Sequence, residues 1–592
     1  MKKKILIVPE FNKYSSFIVA VIVFSALNMG CSISDKNASL DEKPNIIIVM
    51  IDNVGCSDIG INGNDLVNTP HLDSFAKEGI QFNRFYANQL CAPTRASLMT
   101  GRYHYRTGVI HTSRGGAKMH GDEVTIAEML KNVGYATGIF GKWHLGENYP
   151  MRPQEQGFDK TLIHKSGKLG QVPDCPNTYI NPKLWEDGQN VQKHGYCTDI
   201  FFDAAINFIE KNQNKPFFIY LPTNVAHTAP DVGLEIPKKY SAPYIAKGYG
   251  KGVATVCGML NNFDENFGRL IARLTSLGLR GKTLVIFLSD DGNTNRGGLL
   301  MKSEDYTPYE KSIKVPCFAQ WPGHFPGGLE VGQVASHIDI LPTVLDIAGT
   351  EPPTGLKIDG LSLLPLLEGK EKGQGWPDRK IFLQLERGLE PHRYVNISII
   401  AEKYKLIGYY PDAPDGGWTA IRPGEPVFEL YDIPSDPGEA INLASQESDI
   451  VEELKAAYDN WYDDVKSSRQ FSPGLIHIGS DAENPTYLCR YQDASYIDKK
   501  PTGWPVYIEC EGKYEVTINR GESLEECQLV IQYDSTYVSQ PLTRGENQAI
   551  FSLPSGNVTF NAWVKEPGKE YMPRPNEDKI GDVIIRRIKE NE

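Results

Sequence analysis

Asn45-Ile46-Ile47-Ile48-Val49-Met50-Ile51 is a nearly unbroken apolar, β-branched run. It reads as a strand buried on both faces of a parallel sheet, because a half-exposed strand would alternate apolar and polar residues. It ends in Asp52-Asn53, followed by Val54-Gly55. Far downstream, Thr283-Leu284-Val285-Ile286-Phe287-Leu288-Ser289 repeats the pattern and ends in Asp290-Asp291-Gly292. Ligands of α/β sheets bind at the carboxyl ends of such strands. Two adjacent ends would gather three carboxylates and one amide, and hard oxygen donors suit Ca²⁺ or Mg²⁺. The absence of His and Cys from the set argues against zinc. Either pair alone is also an ordinary strand-end turn, where Asp and Asn are favoured.

Between the two strands lies Leu90-Cys91-Ala92-Pro93-Thr94-Arg95-Ala96-Ser97-Leu98-Met99-Thr100-Gly101-Arg102. Proline suits the first helical turn, so the spacing predicts a helix from about Pro93. Its free N–H groups and positive dipole end would face the Cys91 side chain, and Arg95 and Arg102 add fixed positive charge. The stretch reads as a site for a tetrahedral oxyanion; an isolated C-x-P-x-R is otherwise a buried cysteine at a helix start. Further on, Ile126-Ala127-Glu128-Met129-Leu130 is helical with Gly134 as its cap. Tyr135 to Phe140 is a strand running into Gly141-Lys142-Trp143-His144-Leu145-Gly146. Lys142 and His144, two apart, share a side if that strand continues. Phe201 to Lys211 is helical, and the strand Pro216 to Pro222 leads to His227 on the following loop. Leu260, Phe263, Phe267, Leu270, Ile271 and Leu274 recur at helical spacing, so 251–279 is an amphipathic helix whose stripe is core.

The motif around Cys91 resembles the signature of the type I sulfatases, within the alkaline phosphatase superfamily, and G-K-W-H-L-G matches a second motif of that family. The resemblance implies that Cys91 is converted to Cα-formylglycine by a sulfatase-maturing enzyme. It places a divalent metal, Ca²⁺ in preference to Mg²⁺, on Asp52, Asn53, Asp290 and Asp291; here the usual order of Asp-Asp early and Asp-Asn late is exchanged. It implies catalytic roles for Arg95, Lys142, His144, His227 and a lysine near 302. In that scheme the hydrated aldehyde attacks sulfur, and its second hydroxyl then expels sulfate. Arg95 and the metal hold the attacking oxyanion. His227 or Lys302 protonates the leaving oxygen, His144 is the base, and Lys142 and Lys302 neutralise the sulfate. Lys302 is the choice for the sulfate-binding lysine and Lys311 its rival, because Tyr309-Glu310-Lys311-Ser312 replaces the family's Y-E-G-G and the spacing is longer. Phe428-Glu429-Leu430-Tyr431-Asp432 and Asp436 to Leu443 match the phrase closing the family's smaller subdomain, so the resemblance covers about 44–470. His392 and Arg393, with Glu386 and Arg387 nearby, fall in that subdomain and are the candidates to read a sugar.

The fold expected is α/β: a large mixed, mostly parallel sheet between helices, a smaller α+β subdomain and an appended all-β domain. The organisation expected is a lipoprotein-type signal peptide over 1–31, a polar tether over 32–43, a catalytic domain over 44–375, a C-terminal subdomain over 376–470 and an accessory β-domain over 475–592. The signal reading rests on Lys2-Lys3-Lys4, the short apolar run Phe17 to Leu27, and Gly30-Cys31. It makes Cys31 a lipidated residue and the protein an exported periplasmic or cell-surface lipoprotein; ordinary cleavage or an uncleaved anchor remain open because Asn28 and Met29 are unusual there. The other cysteines permit disulfides, with no pairing set by their spacing. Residues 475–592 alternate in short runs such as Tyr514-Glu515-Val516-Thr517-Ile518, and read as a sandwich that either binds sugar through exposed aromatics or packs on the enzyme, packing being preferred. The net charge of −13 disfavours nucleic acid as a partner. The function expected is a sulfuric ester hydrolase acting on a sulfated carbohydrate. The alternatives are a phosphonate or phosphate ester hydrolase of the same superfamily and a non-catalytic sulfoglycan-binding lipoprotein.

Overall fold

The apolar run at 45–51 forms β1 (Asn45–Ile51), with every residue buried. The computed structural model describes residues 43–229, 232–292, 307–370, 376–388, 390–411, 424–497, 500–518, 526–565 and 582–589. Within them β1 belongs to a ten-stranded sheet. The other strands are β2 (Ile80–Phe82), β3 (Ala136–Lys142), β4 (Lys160–His164), β5 (Lys183–Glu186), β6 (Gln189–Gln192), β7 (Phe217–Pro222), β8 (Thr283–Ser289), β9 (Cys317–Gln320) and β10 (Leu329–Val331). Their order is β10-β2-β9-β8-β1-β7-β3-β4-β5-β6. The centre, β8-β1-β7-β3-β4, is parallel, and antiparallel strands flank it on both sides. Ile51 pairs with Ser289, so Asp52 and Asp290 leave the sheet side by side.

Helices cover both faces. They are α1 (Pro70–Glu78), α2 (Cys91–Thr100), α3 (Ile126–Asn132), α4 (Cys197–Asn212), α5 (Lys251–Ser276) and α6 (Ile340–Ala348). Successive strand residues point to opposite faces. Ile47, Val49 and Ile51 therefore pack with α1, α4 and α5, while Ile46, Ile48 and Met50 pack with α2, α3 and α6. This is the mixed α/β architecture expected.

Two local readings need correction. α2 starts at Cys91, not at Pro93. Pro93 still sits in the first turn, where its missing N–H has no intrahelical partner to lose. The strand before His144 stops at Lys142, and His144 adopts φ 60°, so the two side chains do not share a strand face.

Four antiparallel strands follow, β11 (Ile381–Gln384), β12 (Ile397–Ile400), β13 (Tyr404–Tyr409) and β14 (Val427–Asp432), with α7 (Ser448–Arg469) packed on them. Val451, Leu454, Tyr458, Trp461, Tyr462 and Val465 of α7 line one helical face and join Ile381, Leu383, Ile397 and Ile399 in one core.

The strands after residue 475 form two sheets. One runs through Ile476–Ile478, Lys500–Ile508, Gly556–Lys565, Cys527–Tyr533 and Thr536–Leu542; the other through Thr486–Leu488, Val583–Arg587, Gly512–Ile518 and Gln548–Leu553. Val506, Val516, Leu529, Phe560 and Ile585 share their core, and Met151, from the loop after β3, is buried among them. Among the described residues no helix is long and apolar enough to cross a membrane.

Candidate active site

α2 presents its first turn to the carboxyl edge of the sheet. Cys91 is its first residue and is buried. Its Sγ lies 3.4 Å from Nδ1 of His144. Nε2 of His144 lies 2.9 Å from the carbonyl of Thr112. A carbonyl only accepts, so Nε2 carries the proton and Nδ1 is the acceptor facing the thiol. Burial, then the Lys142 charge, holds His144 well below the usual histidine range. The imidazole is therefore a neutral base. Burial pushes the Cys91 thiol up to about 12 against the pull of Lys142, so the unmodified side chain is a poor nucleophile.

Beside this pair is a dense charge cluster. Arg95 donates from Nε (3.0 Å) and Nη2 (2.6 Å) to Oδ2 of Asp290, and its Nη2 lies 3.4 Å from Asp52. Its Nη1 donates to the Lys142 carbonyl at 3.1 Å. The Lys142 ammonium donates to Asp52 Oδ2 at 2.7 Å. Burial works against the charges of Arg95 and Lys142, but Asp290 and Asp52 outweigh it. Asn53, at φ 59°, donates its backbone N–H to Asp290 Oδ1 at 3.2 Å.

Asp52, Asp290 and Asp291 thus share one buried cluster with the two cations Arg95 and Lys142. Burial, with Asp52 next, raises the Asp290 carboxyl; burial, with Asp290 next, raises Asp291 well above the usual range. Ligand atoms of Cys91, Asp290 and Asp291 all lie within 4.8 Å of one another. A buried, oxygen-rich carboxylate group fits a hard divalent cation.

His227 reaches the same edge on the loop after β7. That loop is tied to Asp52 by two backbone bonds of 2.6 Å, Asp52 N to Val225 O and Ala226 N to Asp52 O. Its Nδ1–H donates to the Thr228 carbonyl at 2.9 Å, and burial followed by Lys142 keeps the ring neutral.

Among the described residues the other candidates have these surroundings. Arg102 pairs with Glu123 at 2.8 Å, because a ten-residue helix carries it to the end of α2 opposite Cys91. Lys311 is exposed in a short helix (Glu310–Ile313), and Lys302 lies outside the described residues. His392 Nδ1 meets Glu386 Oε1 at 2.8 Å. Arg393 pairs with Asp459 at 2.7 Å and with Asp463 of α7, and stacks 4.5 Å over Tyr462. The Arg393 guanidinium is thereby engaged in joining a loop to a helix.

The site also contains groups that no motif marks. The Thr112 carbonyl sets the His144 tautomer. Gly167 leaves room for the imidazole, since a Cβ there would stand 2.6 Å from His144 Cε1. His164, opposite Lys142 in the β3–β4 register, is buried. A backbone carbonyl and a missing side chain leave no signature in a single sequence. A histidine at a strand end left only a weak one.

The family model described as Sulfatase matches residues 44–350, and that described as N-sulphoglucosamine sulphohydrolase, C-terminal, matches 305–463. The chain belongs to the sulfatase family. This sulfatase is 31% identical to N-acetylgalactosamine-6-sulfatase of Sus scrofa over 388 residues, covering 59% of this chain and 70% of that protein. Among solved structures it is similar to Ps i-CgsB in complex with k-i-k-neocarrahexaose, with a TM-score of 0.63 at 25% identity over 73% of this chain and 95% of that one. It is also similar to BT4656 in complex with its substrate D-glucosamine-2-N,6-O-disulfate, with a TM-score of 0.58 at 25% identity over 73% and 99% of the two chains. Both family-model matches end before the strands that follow residue 475.

Proposed function

We propose that this sulfatase removes sulfate from a sulfated carbohydrate, with residue 91 matured to Cα-formylglycine and a divalent cation, Ca²⁺ first, held by Asp52, Asn53, Asp290 and Asp291. The observation that carries the reading is the convergence of Cys91, a neutral His144 acceptor 3.4 Å away, and a buried carboxylate cluster at the start of one helix. The relatives support the substrate class: one is named for a sulfated hexosamine, and two structures hold carbohydrates.

The matured side chain supplies two hydroxyls on one carbon, one to attack sulfur and one to release sulfate; the cation supplies positive charge at the attacking oxygen. The chain's own groups do the rest. The positive end of α2 and the Arg95 guanidinium, held in this cluster by Asp290, are assigned to disperse negative charge on the oxygen of residue 91. His144 Nδ1, already the hydrogen-bond acceptor for residue 91, takes the proton of the hydroxyl that releases sulfate. His227, whose Nδ1–H is held by Thr228, offers Nε2 as the carrier of the proton to the leaving oxygen. Lys142 holds Asp52 in place and adds charge against the sulfate oxygens. Lys302 is assigned the same sulfate-facing role, and His392 with Arg393 the sugar-facing one, on the resemblance. The chain is further assigned to export, with a lipid on Cys31 anchoring it to a membrane and a maturing enzyme as its partner.

The test is the mass of the tryptic peptide Phe85–Arg95 from protein made in a host with a maturing enzyme. Maturation lowers it by about 18 Da, the thiol-to-aldehyde difference. An unmodified peptide from active enzyme would overturn the mechanism. Cys91→Ala leaves the fold intact and abolishes hydrolysis. Palmitate labelling that persists in Cys31→Ser would overturn the anchor.

A further inference from the structure

The loop that carries His227 is fastened from two sides. On one side Asp52 exchanges two backbone hydrogen bonds with Val225 and Ala226. On the other side is Tyr179, which comes from the segment between β4 and β5 and which no motif marks. Its side chain is 0% exposed and shares a core with Val225, Ala229 and Ile236, its ring stacked at 6.0 Å from that of Tyr196. Its hydroxyl donates to the carbonyl of His227 itself and lies 3.2 Å from the carbonyl of Asn224. His227 N donates to that same Asn224 carbonyl at 2.9 Å, so one phenol closes both ends of the turn 224–227.

Tyr179 is fixed in turn by its own backbone. Its N–H donates to Oε2 of Glu235 at 3.0 Å, and its carbonyl accepts from the N–H of Cys197, the first residue of α4, at 2.8 Å. Burial holds the hydroxyl well above the usual tyrosine range, so it stays an O–H donor. A carbonyl only accepts, and a buried one that loses its donor is costly to keep. The backbone of His227 is therefore set by Tyr179 and its ring by the Thr228 carbonyl at Nδ1, and the two together decide where Nε2 points.

We propose that Tyr179 is a positioning residue for proton delivery to the leaving oxygen: its hydroxyl holds the turn 224–227 so that Nε2 of His227 keeps the place from which it protonates that oxygen. This rests on the role given to His227 in the proposed function. Tyr179 itself touches neither substrate nor reacting atoms. Misplacing a reacting group by about 1 Å costs up to ~100-fold in rate, so a bond to the backbone of the acid matters to the chemistry as well as to the fold.

The test uses the leaving group. A sugar alkoxide is a strong base and departs only as it is protonated, whereas 4-nitrophenolate departs without that help. The matured enzyme is assayed with the 6-sulfates of galactose, N-acetylgalactosamine and N-acetylglucosamine, and with 4-nitrophenyl sulfate; if no sugar ester is turned over, phenyl sulfate, whose phenolate is the stronger base, takes their place. Tyr179→Phe keeps the stacked ring and removes the donor. In it, kcat on the best sugar ester relative to the nitrophenyl ester falls about 10- to 100-fold, with KM within about threefold of wild type. An equal fall on both esters marks a merely structural residue and overturns the proposal. His227→Ala lowers the same ratio, and adding Tyr179→Phe to it lowers the ratio no further, because the second change acts through the group already removed; a further fall overturns the proposal. If Tyr179→Phe folds poorly, Glu235→Ala decides, since it loosens Tyr179 while leaving its hydroxyl in place: the ratio must fall at least about threefold, and an unmoved ratio overturns the proposal. An unmoved ratio in His227→Ala overturns the acid role of His227 and this proposal with it. A lowered ratio there with an unmoved one in Tyr179→Phe overturns this proposal alone.

Discussion

At the scale of single residues the site is a set of dependencies around two strand ends. Arg95 joins Asp290 to the Lys142 carbonyl, and Lys142 joins that backbone to Asp52. Removing one member strands the others without water to replace it, because all four are buried. Asp290→Ala leaves Arg95 without its main partner, so metal and activity are lost together; metal content measured alongside turnover checks this, as does inactivation by a chelator. The imidazole of His144 depends on an absence. Gly167→Ala puts a methyl 2.6 Å from Cε1 and turns the ring from residue 91. Displacements of about 1 Å cost up to ~100-fold in rate. We therefore expect kcat to fall 10- to 100-fold with little change in Tm, read by kinetics and calorimetry.

At the scale of elements, β3 delivers the machinery. It ends at Lys142 instead of running on, and Gly141 lets that end lie close to β7. Gly141 has φ 142°, and a Cβ there would lie 1.9 Å from the Pro222 carbonyl of β7. The close approach of the two strand ends brings the His227 loop and the Lys142-to-His144 turn to one edge. Gly141→Ala must force them apart, at a cost of about 3 kcal/mol by comparison with other overpacked interiors. A lowered unfolding midpoint and loss of activity are the expected outcomes. α2 shows the converse economy. It is entirely buried, and its C-cap Gly101 at φ 66° donates to Ser97 O, ending the helix where Leu341 packs. Its burial explains why a ten-residue helix of low amphipathicity holds Cys91 firmly: tertiary packing, not propensity, stabilises it.

At the scale of the whole molecule the β-module and the catalytic sheet are interlocked. The Trp143 indole donates to the Met151 carbonyl at 2.9 Å, and the Met151 side chain lies in the module's core. Asp493 lies at the same junction, and burial raises its carboxyl from 3.8 to about 6, with Lys118 pulling the other way. A carboxyl raised on folding holds its proton more tightly in the folded chain. The stability it contributes is present below its unfolded value and is lost as pH rises through about 6. Asp493→Asn cannot ionise, and so becomes more stable than the wild type as pH rises from 4 to 8. Unfolding midpoints of both proteins across that range check the sign; a constant difference would show that Asp493 is not under strain.

The central sheet, the helices on its faces and the identities of Cys91, Arg95, His144 and the acidic strand ends were legible in the linear chain. Continuous apolar runs admit one environment, and the motifs are local, so each carries its meaning in adjacent residues. The sequence by itself thus determined the class of fold and the family. The tertiary structure alone decided how the groups face one another. It placed the helix start at Cys91, assigned the His144 tautomer through a carbonyl 32 residues away, and sent Arg102 to the far end of α2. It also brought the Tyr179 hydroxyl to the carbonyl of His227 across 48 positions of chain. The physical reason is that hydrogen-bond partners and cavity walls are properties of packing between distant segments. A single sequence records which groups are present, and only folding records which of them are left without a partner.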